Sequence, residues 1–359
     1  MKARVEGRPS DPAFYNETLS GAVRAIVRQQ AEHGIDIVTD GEQSKLGFFA
    51  YVRERLSGFE ARQGPRPAMF AKEVEAFPEY YKDYFGRAML GSSLAPMVEF
   101  VCTGPIRYAG EEAVARDIAN LKAAMEGVEH EDAFLPSVAP TGIGTNEYYK
   151  SDDEYLQAAA EAMRVEYRAI VDAGFMLQID DPFLTEVFSY SNLSEPERRK
   201  RGEMSVEALN LALRGIPEER VRYHTCYGIN EGPRVHDVPL KEIVDLVLKV
   251  NAGAYSFEAA NARHEHEYHL WESVELPKGK ALIPGVVTHA SNIVEHPELI
   301  AERIVRFAKL VGRENVIAGC DCGFSSQATY TPEVHPSVIW AKFDAMREGA
   351  RLASRQLWA

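Results

Sequence analysis

The sequence predicts an α/β chain folded as a (β/α)8 barrel of the TIM type, and three observations carry that expectation. Eight short extended, apolar runs recur along the chain, at residues 35–39, 98–103, 133–138, 175–179, 221–226, 254–258, 281–287 and 315–320, with helical patterns between most of them. Strand–helix alternation of this kind argues for a parallel sheet. No glycine-rich phosphate loop follows the first run, since Thr39-Asp40-Gly41-Glu42-Gln43 is a carboxylate-rich turn. That speaks against an open dinucleotide-binding sheet. The unusual polar residues gather where the runs end: Asp40 and Glu42, Asp180 and Asp181, His224 and Cys226, Glu258, His289, Cys320 and Cys322. In a barrel the C-terminal ends of the strands are where chemistry sits.

The helices announce themselves at their ends. Residues 21–33 form a helical pattern closed by Gly34 in a C-cap position. Residues 152–173 make a long alanine-rich helix, opened by Ser151-Asp152-Asp153-Glu154 and stopped at Gly174. Residues 240–251 are amphipathic and end near Gly253, and residues 296–311 open with Pro297 and close at Gly312. Two stretches break the alternation. Residues 59–96, rich in aromatic and charged side chains (Glu79-Tyr80-Tyr81-Lys82-Asp83-Tyr84-Phe85), read as an excursion over the barrel mouth that ends by about residue 110. Residues 191–220 read as a charged linker and helix returning the chain to the next strand. Residues 1–359 are thus expected to be one domain.

Composition narrows the function. The chain is 359 residues long and 45% hydrophobic, enough for a large core. Its formal net charge of −14 argues against nucleic acid or an anionic membrane surface as a partner. No apolar run approaches the roughly 20 residues of a membrane span, and residues 1–8 lack the apolar centre of a signal peptide. We therefore read the chain as cytoplasmic. Its four cysteines then suggest metal binding or catalysis rather than a disulfide framework.

In an extended chain residues i and i+2 point to one side, so His224 and Cys226 can serve one metal. A zinc site takes Cys, His and carboxylate ligands in tetrahedral array, and a catalytic one keeps an exchangeable position. His224, Cys226 and either Cys320 or Cys322 supply three ligands, with Glu258 the natural, weakly held fourth. Imidazole with soft thiolates selects zinc over magnesium or calcium. Zinc in turn holds a substrate thiol as thiolate near neutral pH. The denser group His264-Glu265-His266-Glu267 has no apolar strand to aim it, and is read as a solvated helix start with lid contacts. Asp180 is a candidate to bind an ammonium group or act as a base, and Asp181 equally a turn residue. Glu42 is either an acid at a strand end or the ion-pair partner of Lys45. His289 is a candidate general acid.

These residues together resemble the catalytic C-terminal half of the cobalamin-independent methionine synthase family, and more closely its stand-alone single-domain relatives. The resemblance rests on Asp40-Gly41-Glu42, Gln178-Ile179-Asp180-Asp181-Pro182, His224-Thr225-Cys226, Ser256-Phe257-Glu258, Pro284-Gly285-Val286 and Asp321-Cys322-Gly323, in the family's order over nearly the whole chain. It implies a (β/α)8 barrel holding zinc on His224, Cys226, Glu258 and Cys322, and so prefers Cys322 to Cys320. It implies methyl transfer to a zinc-bound thiol such as homocysteine, with Glu42 and Asp180 binding the substrate's amino group and His289 and Asp180 assisting catalysis. The alkyl donor is a folate, a methyl-corrinoid protein or a small methylated compound, and homo-oligomerisation stays open. This chain starts beyond the segment that matches the family's first strand, so a gap is expected at that strand's position. The competing readings are a thiol alkyltransferase or thioether lyase of the epoxyalkane:coenzyme M transferase type, kept alive by Arg107, Arg263 and Lys45, and a non-catalytic zinc- or thiol-binding barrel.

Overall fold

A computed structural model of the chain describes residues 11–62, 70–88, 93–94, 98–189, 192–228, 232–325 and 327–359. The N-terminal residues 1–8 and parts of the 59–96 and 191–220 stretches lie outside them. The strands are β1 (Ile37–Thr39), β2 (Leu56–Arg62), β3 (Glu99–Tyr108), β4 (Asp132–Val138), β5 (Thr145–Asn146), β6 (Met176–Asp181), β7 (Val221–Thr225), β8 (Ala254–Phe257), β9 (Ala281–Val287) and β10 (Gly319–Cys320). Seven form one sheet in the order β1-β4-β6-β7-β8-β9-β10, every pairing parallel. The remaining three form a separate sheet, β2-β3-β5.

The 98–103 run is therefore not a strand of the parallel sheet. It opens β3, which pairs antiparallel with β2 and leaves seven parallel strands where eight runs were expected. Its apolar alternation suits either sheet. What decides is the partner, which the run itself does not encode.

The parallel sheet is curled. Neighbouring strands lie about 4.8 Å apart, so three steps across a flat sheet span about 14 Å. Yet Cys226, just after β7, and Cys322, just after β10, bring their sulfurs to 3.0 Å. Helices cover the outer face. Ala133, Leu135, Leu177, Ile179, Val221 and Tyr223 are buried against them. The alternate residues Phe134, Met176, Gln178, Asp180 and Arg222 point inward and stay partly accessible. The helices start as their sequences direct. The helix Pro12–Glu32 is capped by Asp11, Asp152–Asp172 by Ser151, and Pro297–Val311 by His296. The helix expected at 240–251 breaks into a 3-10 turn, Leu240–Glu242, and one α turn, Val244–Val247. No helix among the described residues is long and apolar enough to cross a membrane.

A buried ionic cluster seats the smaller sheet on the larger. Glu166, 1% exposed on the helix Asp152–Asp172, accepts hydrogen bonds from Tyr51 (2.7 Å), Ser137 of β4 (2.7 Å), Tyr108 of β3 (2.6 Å) and Arg55 (2.9 Å). Arg55 also bonds Asp117. Burial alone would raise the Glu166 pKa, but Arg55, Lys45 and the tyrosine hydroxyls hold it down to about 2. Its stabilising contribution is complete above the ordinary carboxyl value near 4.5 and is lost as pH falls through about 2. Glu166→Gln, which leaves Arg55 short of a partner, should cost roughly 3–5 kcal/mol in urea unfolding at neutral pH. The difference from wild type should shrink between about pH 4.5 and 2; a constant difference across that window would contradict the assignment.

Candidate metal centre

The strand ends bring three soft ligands together. His224 Nε2 lies 3.3 Å from Cys322 Sγ, and the Cys226 and Cys322 sulfurs are 3.0 Å apart. His224 and Cys226 are buried and Cys322 is partly so. From behind, His224 Nδ1 meets Ser256 Oγ of β8 at 3.1 Å, which leaves Nε2 for the sulfurs. The Cys322 thiol bonded to Cys226, and then His224, hold Cys226 well below the ordinary thiol range. Cys320 takes no part. It belongs to the edge strand, and burial pushes its thiol up to about 12.

Glu258 stands beside the trio, pointed at other partners. One oxygen accepts from the Tyr227 N–H (3.3 Å), the other from Asn261 Nδ2 (2.8 Å) and Arg263 Nη2 (2.9 Å). It also converges with His289 and Asp321, one ligand atom of each lying within 4.8 Å of the others. Asp321 organises that loop. Its Oδ1 accepts from the N–H groups of Ala259 and Ala260 (2.7 Å each), and its Oδ2 from Asn261 (2.9 Å). His289 is 2% exposed, neither ring nitrogen has a hydrogen-bond partner, and burial pushes its pKa down to about 4.

Glu42 and Asp180 face one region. Lys45 pairs with Glu42 at 3.1 Å and donates to the Pro136 carbonyl at 2.6 Å. Among the described residues Asp180 accepts only from Gln178 (2.9 Å), and loss of solvation lifts its pKa to about 6, opposed by His224. Asp181 is a turn residue, accepting from the N–H groups of Phe183 (3.0 Å) and Leu184 (3.1 Å). The 264–267 group does start a helix, the 3-10 segment Glu265–Glu272 with His266 exposed, but its cap residue His264 is not solvated. His264 is 3% exposed, stacks on Tyr227 with ring centroids 4.1 Å apart, and bonds Glu267 at 2.9 Å. The sequence reading missed Asp321, Arg222 and Glu186. Glu186 lies one short turn after Asp181; its side chain is solvent-exposed, and the protein mass around it raises its pKa to about 7, opposed by Arg234 and reinforced by Cys226. Its signal was the single helical turn separating it from Pro182.

A curled parallel sheet with two thiols and an imidazole meeting beyond its strand ends defines a class: an α/β protein with a soft-ligand centre at the C-terminal mouth. Comparison with known proteins narrows it. Residues 141–341, more than half the chain, match the family described as cobalamin-independent synthase, catalytic domain, and the chain belongs to that family. Methionine synthase of Saccharolobus islandicus (strain Y.N.15.51 / Yellowstone #2) is 25% identical over 364 residues, covering 99% of this chain and 90% of that protein. The 2-hydroxypropyl-CoM lyase of Xanthobacter autotrophicus is 22% identical, over 96% of this chain and 88% of that one. In fold the chain is similar to a B12-independent methionine synthase from Shewanella sp. W3-18-1 solved with selenomethionine. The TM-score is 0.70 at 19% identity, covering 97% of this chain and 91% of the other.

Gly285 makes the Asp321 arrangement testable. A Cβ there would meet Asp321 Oδ1 at 2.0 Å and its backbone N at 2.7 Å, whereas one at Gly323 meets nothing within 4 Å. Gly285→Ala should cost about 1–3 kcal/mol by urea unfolding, with Gly323→Ala within about 0.5 kcal/mol of wild type. Equal effects would mean Asp321 is not held against that strand.

Proposed function

We propose that this chain is a zinc-dependent methyltransferase, moving a methyl group from a donor onto a metal-held small thiol of the homocysteine type, in the manner of methionine synthase. The observation carrying this reading is the convergence of His224, Cys226 and Cys322. Ligands on tetrahedral zinc lie roughly 3.5 Å apart, and the 3.0 and 3.3 Å separations need only a slight opening to admit one. His289, buried with both nitrogens unpartnered, supports a ligand-accepting site. We read the seven-stranded sheet as a (β/α)8 barrel lacking its first strand, and residues 1–359 as one domain. The excursion at about 59–110 then leans over the mouth. Tyr84 of the excursion bonds Glu333 at 2.6 Å, and Phe70 packs under Arg234 with 4.5 Å from guanidinium to ring centroid, which supports that placement.

Bound zinc would supply a Lewis-acid centre that keeps a thiol ionised near neutral pH. The chain's residues supply the rest. His224, Cys226 and Cys322 would hold the metal, with Glu258 as an exchangeable fourth ligand. Asn261 and Arg263 are already in place to receive the carboxylate it withdraws. Glu42 and Asp180 hold the substrate ammonium, with Lys45 orienting Glu42. The substrate thiolate would attack the alkyl carbon in line, the C–S bond forming as the bond from that carbon to the leaving group breaks, with buried His289 placed to handle the proton the leaving group takes up. The second reading, alkyl transfer or lysis with a sulfonate thiol, has the similarity to 2-hydroxypropyl-CoM lyase behind it. Asp180, an acid with no cation bonded to it among the described residues, favours the amino thiol.

Metal analysis of wild type, Cys226→Ser and Cys322→Ser is the direct test. About one zinc per chain is expected in wild type, with at least tenfold weaker retention in both variants; full zinc in Cys226→Ser would sink the proposal. Zinc X-ray absorption with homocysteine should then gain a sulfur neighbour and lose an oxygen. A gain with 2-mercaptoethanesulfonate alone would turn the assignment to the second reading.

A further inference from the structure

Arg222 is a charged group of the inner sheet face that the proposed function leaves unused. Its register fixes its direction: Arg222 pairs with Gln178 and His224 with Asp180, so Arg222 and His224 project from the same face of β7, one step apart. The guanidinium crosses the interior to lie 4.1 Å from the centroid of Phe134 on β4. No hydrogen bond or ion pair reaches it among the described residues, and its Nε is buried without a partner. The two nearby acids do not neutralise it by contact. Asp132 is paired with Arg220 at 2.9 Å, and Asp180 accepts from Gln178. An arginine stays charged in such surroundings, and a desolvated cation without a bonded anion is costly. Its planar fork, stacked and held in place, suits a carboxylate or sulfonate.

We propose that Arg222 holds the anionic end of the thiol substrate, and that this anion is the carboxylate of an α-amino-acid thiol whose ammonium group rests on Asp180 and Glu42. This rests on the function proposed above and adds its specificity. An α-amino acid carries both charges on one carbon, so its site needs a cation close to its acids. Arg222, among the Phe134, Asp180 and His224 side chains, meets that condition. Plain alkyl thiols would satisfy the metal but leave the guanidinium unpaired.

Titration calorimetry on the zinc-loaded wild-type protein tests this with homocysteine, with 3-aminopropane-1-thiol (the same molecule without its carboxylate), and with 2-mercaptoethanesulfonate. Wild type should bind homocysteine about tenfold or more tighter than the amine thiol, the weight of one charge-assisted fork. Arg222→Met should erase that preference through weaker homocysteine binding alone, with zinc content unchanged, and Arg222→Lys should restore part of it. Equal binding of the first two thiols by wild type would overturn the role of Arg222 while leaving the function standing, and it needs no variant to fold. A preference retained in Arg222→Met would overturn it likewise. Failure of wild type to bind any of the three would remove the underlying function and the inference with it. Tightest binding of 2-mercaptoethanesulfonate, lost in Arg222→Met, would keep Arg222 as the anion holder and overturn the amino-acid assignment.

Discussion

The curl of the parallel sheet is the constraint on which the rest depends. Four consecutive strands, β7 to β10, must bend far enough for residues at 226 and 322 to touch. Nothing local to either cysteine achieves that. It follows from the ladder between neighbouring strands, from the buried aliphatic face under the helices, and from glycines that let strands approach. Gly285 is the clearest of these, because β9 passes Asp321 with no room for a side chain. Once the curl is set, the thiols, the imidazole and the acids of six strand ends face a common space.

The centre is also held from outside its own residues. Asp321 grips the backbone of the loop after β8 and so fixes where Glu258 can go. Arg263, which bonds Glu258, is itself pinned by Asp237 at 2.6 Å. Arg234 bonds Asp237 at 2.5 Å and the Tyr227 carbonyl, tying the loop after β7 into the same web. A carboxylate with a prepared second resting place can exchange partners without being stranded unpaired, and burying an unpaired charge is the larger cost.

Much of this was legible in the sequence because its signals are periodic or end-marked. The i, i+2 spacing of His224 and Cys226 gave their shared direction, and the strand runs from 133 to 287 were visible as short, extended apolar runs. Glycine and proline marked the helix ends at Gly34, Gly174, Pro297 and Gly312. What was hidden is what depends on partners. Residues 98–103 have a strand's pattern, but their pairing with Leu56–Arg62 is supported by Arg55, just before that strand, and by Glu166, more than sixty residues further along the chain. Residues 240–251 have a helix's period, yet the chain turns after Glu242 and again after Val247. The burial of His264 depends on Tyr227 and Asp237, from a different loop. Arg222 was accessible to the same parity argument as His224, being two residues before it on β7.

The two strands that end the parallel sheet are its shortest but for none: β10 has two residues and β1 three. A parallel sheet with long bare margins invites strands from other molecules, since each margin offers a row of unpaired amides and carbonyls. Here such a row extends over two or three residues, too short a template for a stable added strand. The brevity of β1 and β10 thus acts on colloidal behaviour as much as on architecture. Among the described residues β1 and β10 do not pair with each other, the segments after them being joined instead by the Gly47–Gln327 bridge, and the short margins limit chain-to-chain association.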